Sequence, residues 1–256
     1  MKDRNVIISY ALGFINNSWF WLGIWVFYYL KFTDYGGIGL LETIMVLVIT
    51  GMELPTGALA DLIGKKFTLI GAFLFQTIGN FAMGLVGSFA GLAISITVMC
   101  IGGAMYSGTS EALVYDSLKE NSNEEFYDKA LANIHTLQLV AMAVSGLLGG
   151  FMYSFKPQLP FLAVGVVNAV GLLLTFFLKE PSVDTEKFSW DKYLRQTKQG
   201  FNQLFGKTKV RRFVFRLLSI AVFLVIADEM INDILAVNFG FKEAQMGIFT
   251  SFITLL

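Results

Sequence analysis

The sequence has very few of the residues that build metal and covalent sites: one cysteine, Cys100, and one histidine, His135. A single cysteine forms no intrachain disulfide and no thiolate zinc cluster. A lone histidine makes no metal site either, and the functional alternative for His135 is a role in proton relay. The formal net charge is +0, which argues against a nucleic-acid partner. We therefore expect no metal, no cofactor and no nucleic acid.

Apolar residues are abundant instead. The hydrophobic set makes up 55% of the sequence, charged residues make up 15%, and the mean hydropathy is +0.63. A soluble domain rarely has this composition, whereas a protein that crosses a membrane several times does. The fold class expected is an all-α polytopic bundle of transmembrane helices. Since about 20 apolar residues cross a bilayer, the apolar runs predict spans near 5–30, 38–60, 67–87, 90–115, 131–154, 161–178 and 213–238, and an eighth that begins near 245.

The positions of the basic residues predict the orientation. If the amino terminus is cytoplasmic, all of the 19 Lys and Arg residues except Lys31, Lys156 and Lys242 fall on the cytoplasmic side of the predicted spans. Cytoplasmic loops carry an excess of Lys and Arg, so this asymmetry favours that orientation. We expect a multi-pass protein of the plasma membrane or the bacterial inner membrane, in contact with its lipids.

One long polar connection divides the chain. We interpret 1–180 as a six-helix amino-terminal bundle, 181–211 as a cytoplasmic linker, and 212–256 as the start of a second bundle with span 7 and part of span 8. In the linker, apolar residues such as Trp190 and Leu194 recur at roughly helical spacing among basic ones. That pattern predicts an amphipathic helix on the inner leaflet, with a solvated tether as the alternative.

A weak internal repeat supports a second bundle. A shift of 208 positions places Arg4 on Arg212 and Gly39 on Gly247, so two stretches open with a basic residue, a long span and a Gly-led second span. Parallel repeats of this kind are typical of two-bundle transporters. We therefore expect the chain to be truncated and to lack most of a second bundle, which would be its partner in the intact protein.

A motif lies between the second and third predicted spans. The motif combines a small residue, an acid at the membrane boundary and a tight basic turn, in the residues Gly57, Asp61, Gly64, Lys65 and Lys66. We expect Gly57 to let a neighbouring helix approach closely. The pattern resembles the signature between the second and third helices of the major facilitator superfamily, a group of secondary transporters. The resemblance implies that superfamily's six-helix amino-terminal domain plus about one and a half helices of the second, truncated domain.

The resemblance also implies residue roles. It implies a gate at the cytoplasmic side in which Asp61, a basic residue of the turn and Asp116 at the end of the fourth span hold the outward-facing state closed. The alternative is an ordinary interfacial salt bridge. Residues 107–117 look like the inner end of the fourth helix in drug-exporter-like branches, and residues 145–150 are similar to the antiporter motif of the superfamily.

Polar side chains within predicted spans are candidate functional residues, because burying them in a membrane is costly. Asn16 and Asn17 lie at the middle of the first span, where a transporter's cavity needs hydrogen-bonding groups. The alternative is a hydrogen bond that only holds two helices together.

The seventh predicted span contains Asp228, Glu229, Asn232 and Asp233. Carboxylates grouped in a low-dielectric setting favour proton uptake or a cationic substrate, so we assign Asp228, Glu229 and Asn232 to the substrate or proton pathway. Asp233 is interpreted as lying close enough to the outer surface to be hydrated.

Glu53 and Glu111 lie about two helical turns from the cytoplasmic surface in the second and fourth spans. Each is either a residue of the pathway or the structural partner of a buried donor. Glu53 precedes Pro55, which interrupts the backbone hydrogen bonds and favours a kink.

No enzyme site is indicated: Ser110 lacks the Gly-x-Ser-Gly setting of an intramembrane serine protease, and the sequence has no phosphate-cradling loop. The function expected is secondary active transport by alternating access, with proton-coupled export of small amphipathic molecules. Uptake of a small metabolite is the first alternative. A non-transporting membrane receptor or scaffold is the alternative of another class.

Overall fold

The computed structural model describes residues 3–182, 189–225 and 232–254. These residues form helices and no strand, which agrees with the all-α fold class. A short 3-10 turn at Glu124–Phe126 precedes α7. The α-helices are α1 (Arg4–Asn16), α2 (Trp25–Tyr29), α3 (Tyr35–Ile63), α4 (Lys65–Gly84), α5 (Phe89–Tyr106), α6 (Thr109–Glu120), α7 (Tyr127–Phe155), α8 (Leu159–Thr175), α9 (Trp190–Phe205), α10 (Thr208–Val225), α11 (Asn232–Asn238) and α12 (Glu243–Thr254).

Four helical segments of the described chain are long and apolar enough to cross a membrane: Tyr35–Ile63, Lys65–Gly84, Phe89–Glu120 and Glu124–Phe155. The helix at Leu159–Thr175 is apolar but shorter. Large apolar side chains also cover the outside of the bundle. An apolar exterior of this kind suits hydrocarbon and not water.

The first predicted span is not the continuous helix over 5–30 that hydropathy indicates. It is divided into α1 and α2 by a turn-rich segment at residues 17–24. The side chains of Asn17 and Ser18 donate to the backbone carbonyls of Gly13 and Phe14, at 3.2 and 2.8 Å, and so satisfy the last turn of α1. Short polar side chains that bond to nearby backbone favour helix ends, which accounts for the break.

The fourth predicted span is also divided, between α5 and α6. The chain leaves the helix at Ser107 and Gly108, and Gly108 has a φ of +28°. In contrast, α3 continues through Pro55 without interruption. The hydroxyl of the next residue, Thr56, lies 3.1 Å from the Ala104 carbonyl of α5, which ties the two helices at that level.

The bundle is held together by close helix contacts at small residues. Helix α4 packs between α5 and α8, and α1 packs against α7 and α8. A Cβ at Gly79 of α4 would lie 2.6 Å from the Met99 nitrogen, and one at Gly102 of α5 would lie 2.6 Å from the Ala72 carbonyl oxygen. Glycines therefore let these two backbones touch, which is how helices pack in lipid.

Two of the helices that follow α8 also contact the helices before it. Helix α12 packs along α7, and a Cβ at Gly247 would lie 2.7 Å from the Gly146 carbonyl oxygen. Helix α9 occupies the predicted linker and packs on α3, where Gly200 faces Leu54. Its Trp190 is largely exposed. A position of α9 on the membrane surface stays a prediction.

Candidate functional site

The break in the first span opens the bundle to two adjoining chambers. The carbonyl of Asn16, the last residue of α1, accepts a hydrogen bond of 2.8 Å from the indole nitrogen of Trp19. The rings of Trp19 and Trp21 stack with their centroids 5.4 Å apart. Both rings line both chambers, so the broken segment forms the wall that the chambers share.

The first chamber, here called the amide chamber, has a volume of about 250 Å³. It lies among α1, α3, α4, α5 and α8, and every described residue that lines it is uncharged. The Gln76 side-chain nitrogen donates to Asn16 Oδ1 at 3.0 Å, and Asn80 Nδ2 donates to the Gln76 backbone carbonyl at 2.8 Å. Asn168 of α8 completes the polar part of the lining. The chamber therefore presents four neutral amides in an apolar bundle.

The second chamber, here called the acidic chamber, has a volume of about 200 Å³. Its lining joins α2, α3, α4, α5 and α7 to α11 and α12, and its carboxylates among the described residues are Glu42 of α3 and Asp233 of α11. The Trp25 indole nitrogen donates to Asp233 Oδ2 at 2.6 Å. The remaining lining is mostly aromatic rings and methionines: Trp19, Trp21, Trp25, Tyr29, Met45, Met83, Met99 and Met142. Such a surface accommodates apolar bodies of varied shape beside a few polar groups.

A third cavity, here called the basic-end groove, lies at the end of the bundle that carries Lys65. Its volume is about 430 Å³, and its lining includes Glu53, Gly57, Asp61 and Lys65. Lys65 Nζ lies 2.5 Å from Asp116 Oδ2, and both side chains are mostly buried. Glu53, Gly57 and Asp61 are exposed on the groove. The motif residues and Asp116 are thus at one end of the bundle.

Gly57 does not make the close approach that the motif predicts within the part of the chain that the structure describes. A Cβ at this position would meet nothing within 4 Å. The reason is that Gly57 faces the open groove and not a neighbouring helix. Glu111 is exposed on α6, beyond the break at Gly108, and the groove lining includes its neighbour Ala112.

A carboxylate that the sequence analysis did not select holds the start of α4. Glu180 accepts hydrogen bonds from the backbone nitrogens of Lys65 and Lys66, at 2.7 and 2.8 Å. Helix amino termini favour negative charge and leave backbone donors unsatisfied, so this contact stabilises the turn. Lys66 also donates from Nζ to the Phe176 carbonyl at 2.9 Å. The chain after α8 is therefore fastened to the motif.

The structure separates the two asparagines of the first span. Asn16 lines the amide chamber, whereas Asn17 bonds to the backbone of α1 and is not part of the chamber lining. In the seventh span, Asp228 and Glu229 lie outside the described residues. Asn232 begins α11, and its side chain lies outside the part of the chain that the structure describes.

Sequence reasoning missed most of the polar chamber residues. Glu42, Gln76, Asn80 and Asn168 all lie within predicted spans, so the rule that selected Asn16 would also have selected them. Asp233, which was interpreted as hydrated at the outer surface, lines the acidic chamber and accepts a hydrogen bond from an indole.

Comparison with known sequences gives one consistent result. The family model described as Major Facilitator Superfamily matches residues 6–256. The uncharacterized MFS-type transporter YxaM of Bacillus subtilis (strain 168) is 24% identical over 162 residues, which are 62% of this chain and 40% of that protein. An uncharacterized MFS-type transporter of Methanocaldococcus jannaschii is 27% identical over 125 residues, which are 48% of this chain and 30% of that protein.

Two solved structures of transporters have a similar helix arrangement. The crystal structure of the nucleoside transporter NupG superposes with a TM-score of 0.76 at 17% identity, and the match covers 98% of this chain and 64% of NupG. The peptide transporter POT in complex with sulfate gives a TM-score of 0.58 at 17% identity, with 99% of this chain and 49% of POT covered. At these identities the likeness concerns the fold. The chain spans less than half the length of the two curated relatives above.

Proposed function

This chain belongs to the major facilitator superfamily, and from that membership we propose that the whole protein is a secondary active transporter that exports small amphipathic molecules in exchange for protons. Transport would proceed by alternating access, in which two bundles rock around a site near the middle of the membrane. The second bundle, of which α10, α11 and α12 are the start, would supply the other wall of that site.

The observation that carries the proposal is the pair of chambers that adjoin at the broken first span. One chamber offers neutral amides, the other offers the carboxylates of Glu42 and Asp233, and indole rings and methionines line both. A molecule with a polar end and an apolar end would satisfy both linings at once. A discontinuous helix at the cavity is a feature of transporter binding sites, because the interrupted backbone lines the cavity and not the lipid.

The acidic chamber supports protons as the coupling ion. Coupling requires an acid whose protonation alternates with occupancy of the site. Glu42 and Asp233 are the carboxylates of the described lining. Asp228 and Glu229, which precede α11 in the sequence, remain candidates for the same pathway.

The basic-end groove supports a gate on the cytoplasmic side. The Lys65–Asp116 pair closes one side of the groove, and Gly57 leaves space that a helix of the second bundle would fill. Separation of that helix from Asp61 and Glu53 would open the cavity to the cytoplasm. This arrangement requires the amino terminus and the Lys65-Lys66 turn to be cytoplasmic, in the plasma or bacterial inner membrane.

The test is proton flux through the full-length protein. Liposomes that contain the protein and an internal pH-sensitive dye are given a panel of neutral and cationic aromatic amphiphiles. We expect at least one compound to change the internal pH, and protein-free liposomes to show no such change. If no compound moves protons or exchanges with its labelled form, the protein is a receptor or scaffold. If exchange occurs without protons, the transporter stands and the coupling ion is different.

A further inference from the structure

The amide chamber contains buried hydrogen-bonding atoms that no described residue satisfies. Asn80 and Asn168 are 1% and 2% exposed, and the side-chain oxygen of each has no hydrogen-bond partner in the part of the chain that the structure describes. The indole nitrogen of Trp21, on the shared wall, is also buried without a partner among those residues. An unsatisfied buried polar atom destabilises the folded state, so a packed bundle seldom keeps three of them around one cavity without a use.

The orientation of the Asn80 side-chain amide is fixed by a neighbouring residue. Asn80 Nδ2 donates to the backbone carbonyl of Gln76, and a carbonyl can only accept. The oxygen of Asn80 must therefore be the atom that faces away from that bond. This oxygen is an acceptor without a donor among the described residues. Exchange of the two atoms of the amide would lose the hydrogen bond to the Gln76 carbonyl, one turn earlier in α4.

The chemistry of the missing partner follows from these atoms. Two amide oxygens call for two N–H or O–H donors, and the indole N–H calls for one acceptor. Among the described residues, none that lines the chamber is charged, so an ionised group would be desolvated there without a counter-charge in the lining. The stacked rings of Trp19 and Trp21 offer a flat apolar face beside the amides.

We propose that the amide chamber binds the uncharged, hydrogen-bond-donating head of the transported molecule, with Asn80 and Asn168 as its acceptors and Trp21 as its donor. The substrate class is then neutral ring compounds that carry hydroxyl or N–H groups, and not organic cations. This inference rests on the proposed transport function for its biological meaning, but binding can be measured without transport.

Cys100 provides the readout, because it lines the same chamber and is the single cysteine of this chain. The full-length protein in lipid nanodiscs is treated with methyl methanethiosulfonate, and mass spectrometry follows modification of Cys100. Three probes of similar size compete: resorcinol with two hydroxyl donors, m-xylene with methyl groups in their place, and 3-hydroxyphenyltrimethylammonium with a cation. We expect resorcinol to slow the modification more than either of the others.

The variants Asn80→Leu and Asn168→Leu assign the effect to the two oxygens. Each replaces an amide by an apolar group of similar size, and loss of one neutral hydrogen bond should weaken resorcinol protection roughly 2- to 10-fold relative to m-xylene. Asn133→Leu, at an exposed position of α7, is the matched control and should leave the ratio unchanged. Asn168→Leu should also raise the thermal midpoint of the unliganded protein, since it removes an unsatisfied buried acceptor.

Equal protection by resorcinol and m-xylene, or an unchanged ratio in both Leu variants, would mean that the amide oxygens do not select a hydrogen-bond donor and would overturn the inference. A lower thermal midpoint for Asn168→Leu with an unchanged ratio would assign the residue to packing and overturn it as well. Protection in a protein that shows no exchange or proton flux would leave this site standing while the transport function fails. Proton flux without protection of Cys100 would refute this site while the transport function stands.

Discussion

Lys65, the first residue of α4, and Asp116, on α6, form an ion pair of 2.5 Å whose side chains are 13% and 14% exposed. The pair joins the tight turn after α3 to the helix that continues the fourth span beyond its break. A charge pair with little solvent contact is screened less than a surface pair, and either partner alone would be left in a poorly hydrated place. Loss of either partner is therefore expected to weaken this connection.

The first prediction is a double-mutant cycle on this pair. Lys65→Met and Asp116→Leu should each lower the free energy of unfolding, because each leaves the other charge without its partner. The double variant should recover part of the loss, with a coupling of about 0.5–3 kcal/mol. The measurement is the thermal midpoint, together with denaturant unfolding in mild detergent. Strictly additive losses would show that the two residues do not interact. Lys119→Met, at an exposed position on α6, is the control.

The second prediction concerns the turn itself. Gly64 has φ +98° and ψ 153°, a conformation that only glycine adopts readily, and a Cβ there would lie 2.7 Å from the carboxyl carbon of Glu180. Gly64→Ala should therefore destabilise the protein by about 1–3 kcal/mol and weaken the Glu180 contact to the start of α4. The measurement is the thermal midpoint together with hydrogen exchange of the Lys65 and Lys66 amides.

The matched control is Gly39→Ala within α3. Nothing lies within 4 Å of the Cβ position there, and the residue is helical, so alanine should be neutral or should stabilise by about 0.5–1 kcal/mol. Glu180→Ala should expose the same amides without straining the backbone. If Gly64→Ala behaved like Gly39→Ala, the conformation at residue 64 would not depend on glycine.

The sequence predicted the fold class because long apolar runs leave a chain few options other than spanning helices. It did not predict the division of the first span, since hydropathy averages over a window and cannot register two short side chains, Asn17 and Ser18, that bond to the backbone behind them. The division of the fourth span at Gly108 was hidden for the same reason: the apolar run continues across it.

The chambers could be predicted only in part. In water, the apolar face of a helix points to the core, but in lipid both the core side and the outer side are apolar, so periodicity does not identify the inward face. Helix α5, for example, is apolar on all sides in sequence. Polar residues within the spans are the remaining indication of the inward face. Each indicates its own position but not which residues of other spans it meets. The meeting of Asn80 with Asn168, which lie on different spans, depends on the packing of α4 against α8.

The third prediction concerns the contact between α7 and α12. A Cβ at Gly247 would lie 2.7 Å from the Gly146 carbonyl oxygen and 3.0 Å from Gly150 Cα. Gly247→Val should therefore separate the two helices, because backbone atoms cannot move aside as a flexible side chain can. Hydrogen exchange of α12 amides should become faster. Gly103→Val, where a Cβ would meet nothing within 4 Å, should leave that exchange unchanged, and equal exchange in both variants would contradict close packing.

The last prediction separates proton coupling from substrate binding. Glu42 lines the acidic chamber and not the amide chamber, so Glu42→Gln should abolish proton movement driven by substrate while it leaves exchange of labelled for unlabelled substrate. Exchange needs no net change in protonation, whereas net export does. The measurement is the pH-sensitive dye for the first process and isotope exchange for the second, in the same liposomes. Glu125→Gln, on the exposed 3-10 turn before α7, is the matched control and should retain both. Loss of both processes in Glu42→Gln would instead place Glu42 in substrate binding, and retention of both would move the coupling acid to Asp233 or to the neighbouring Asp228 and Glu229.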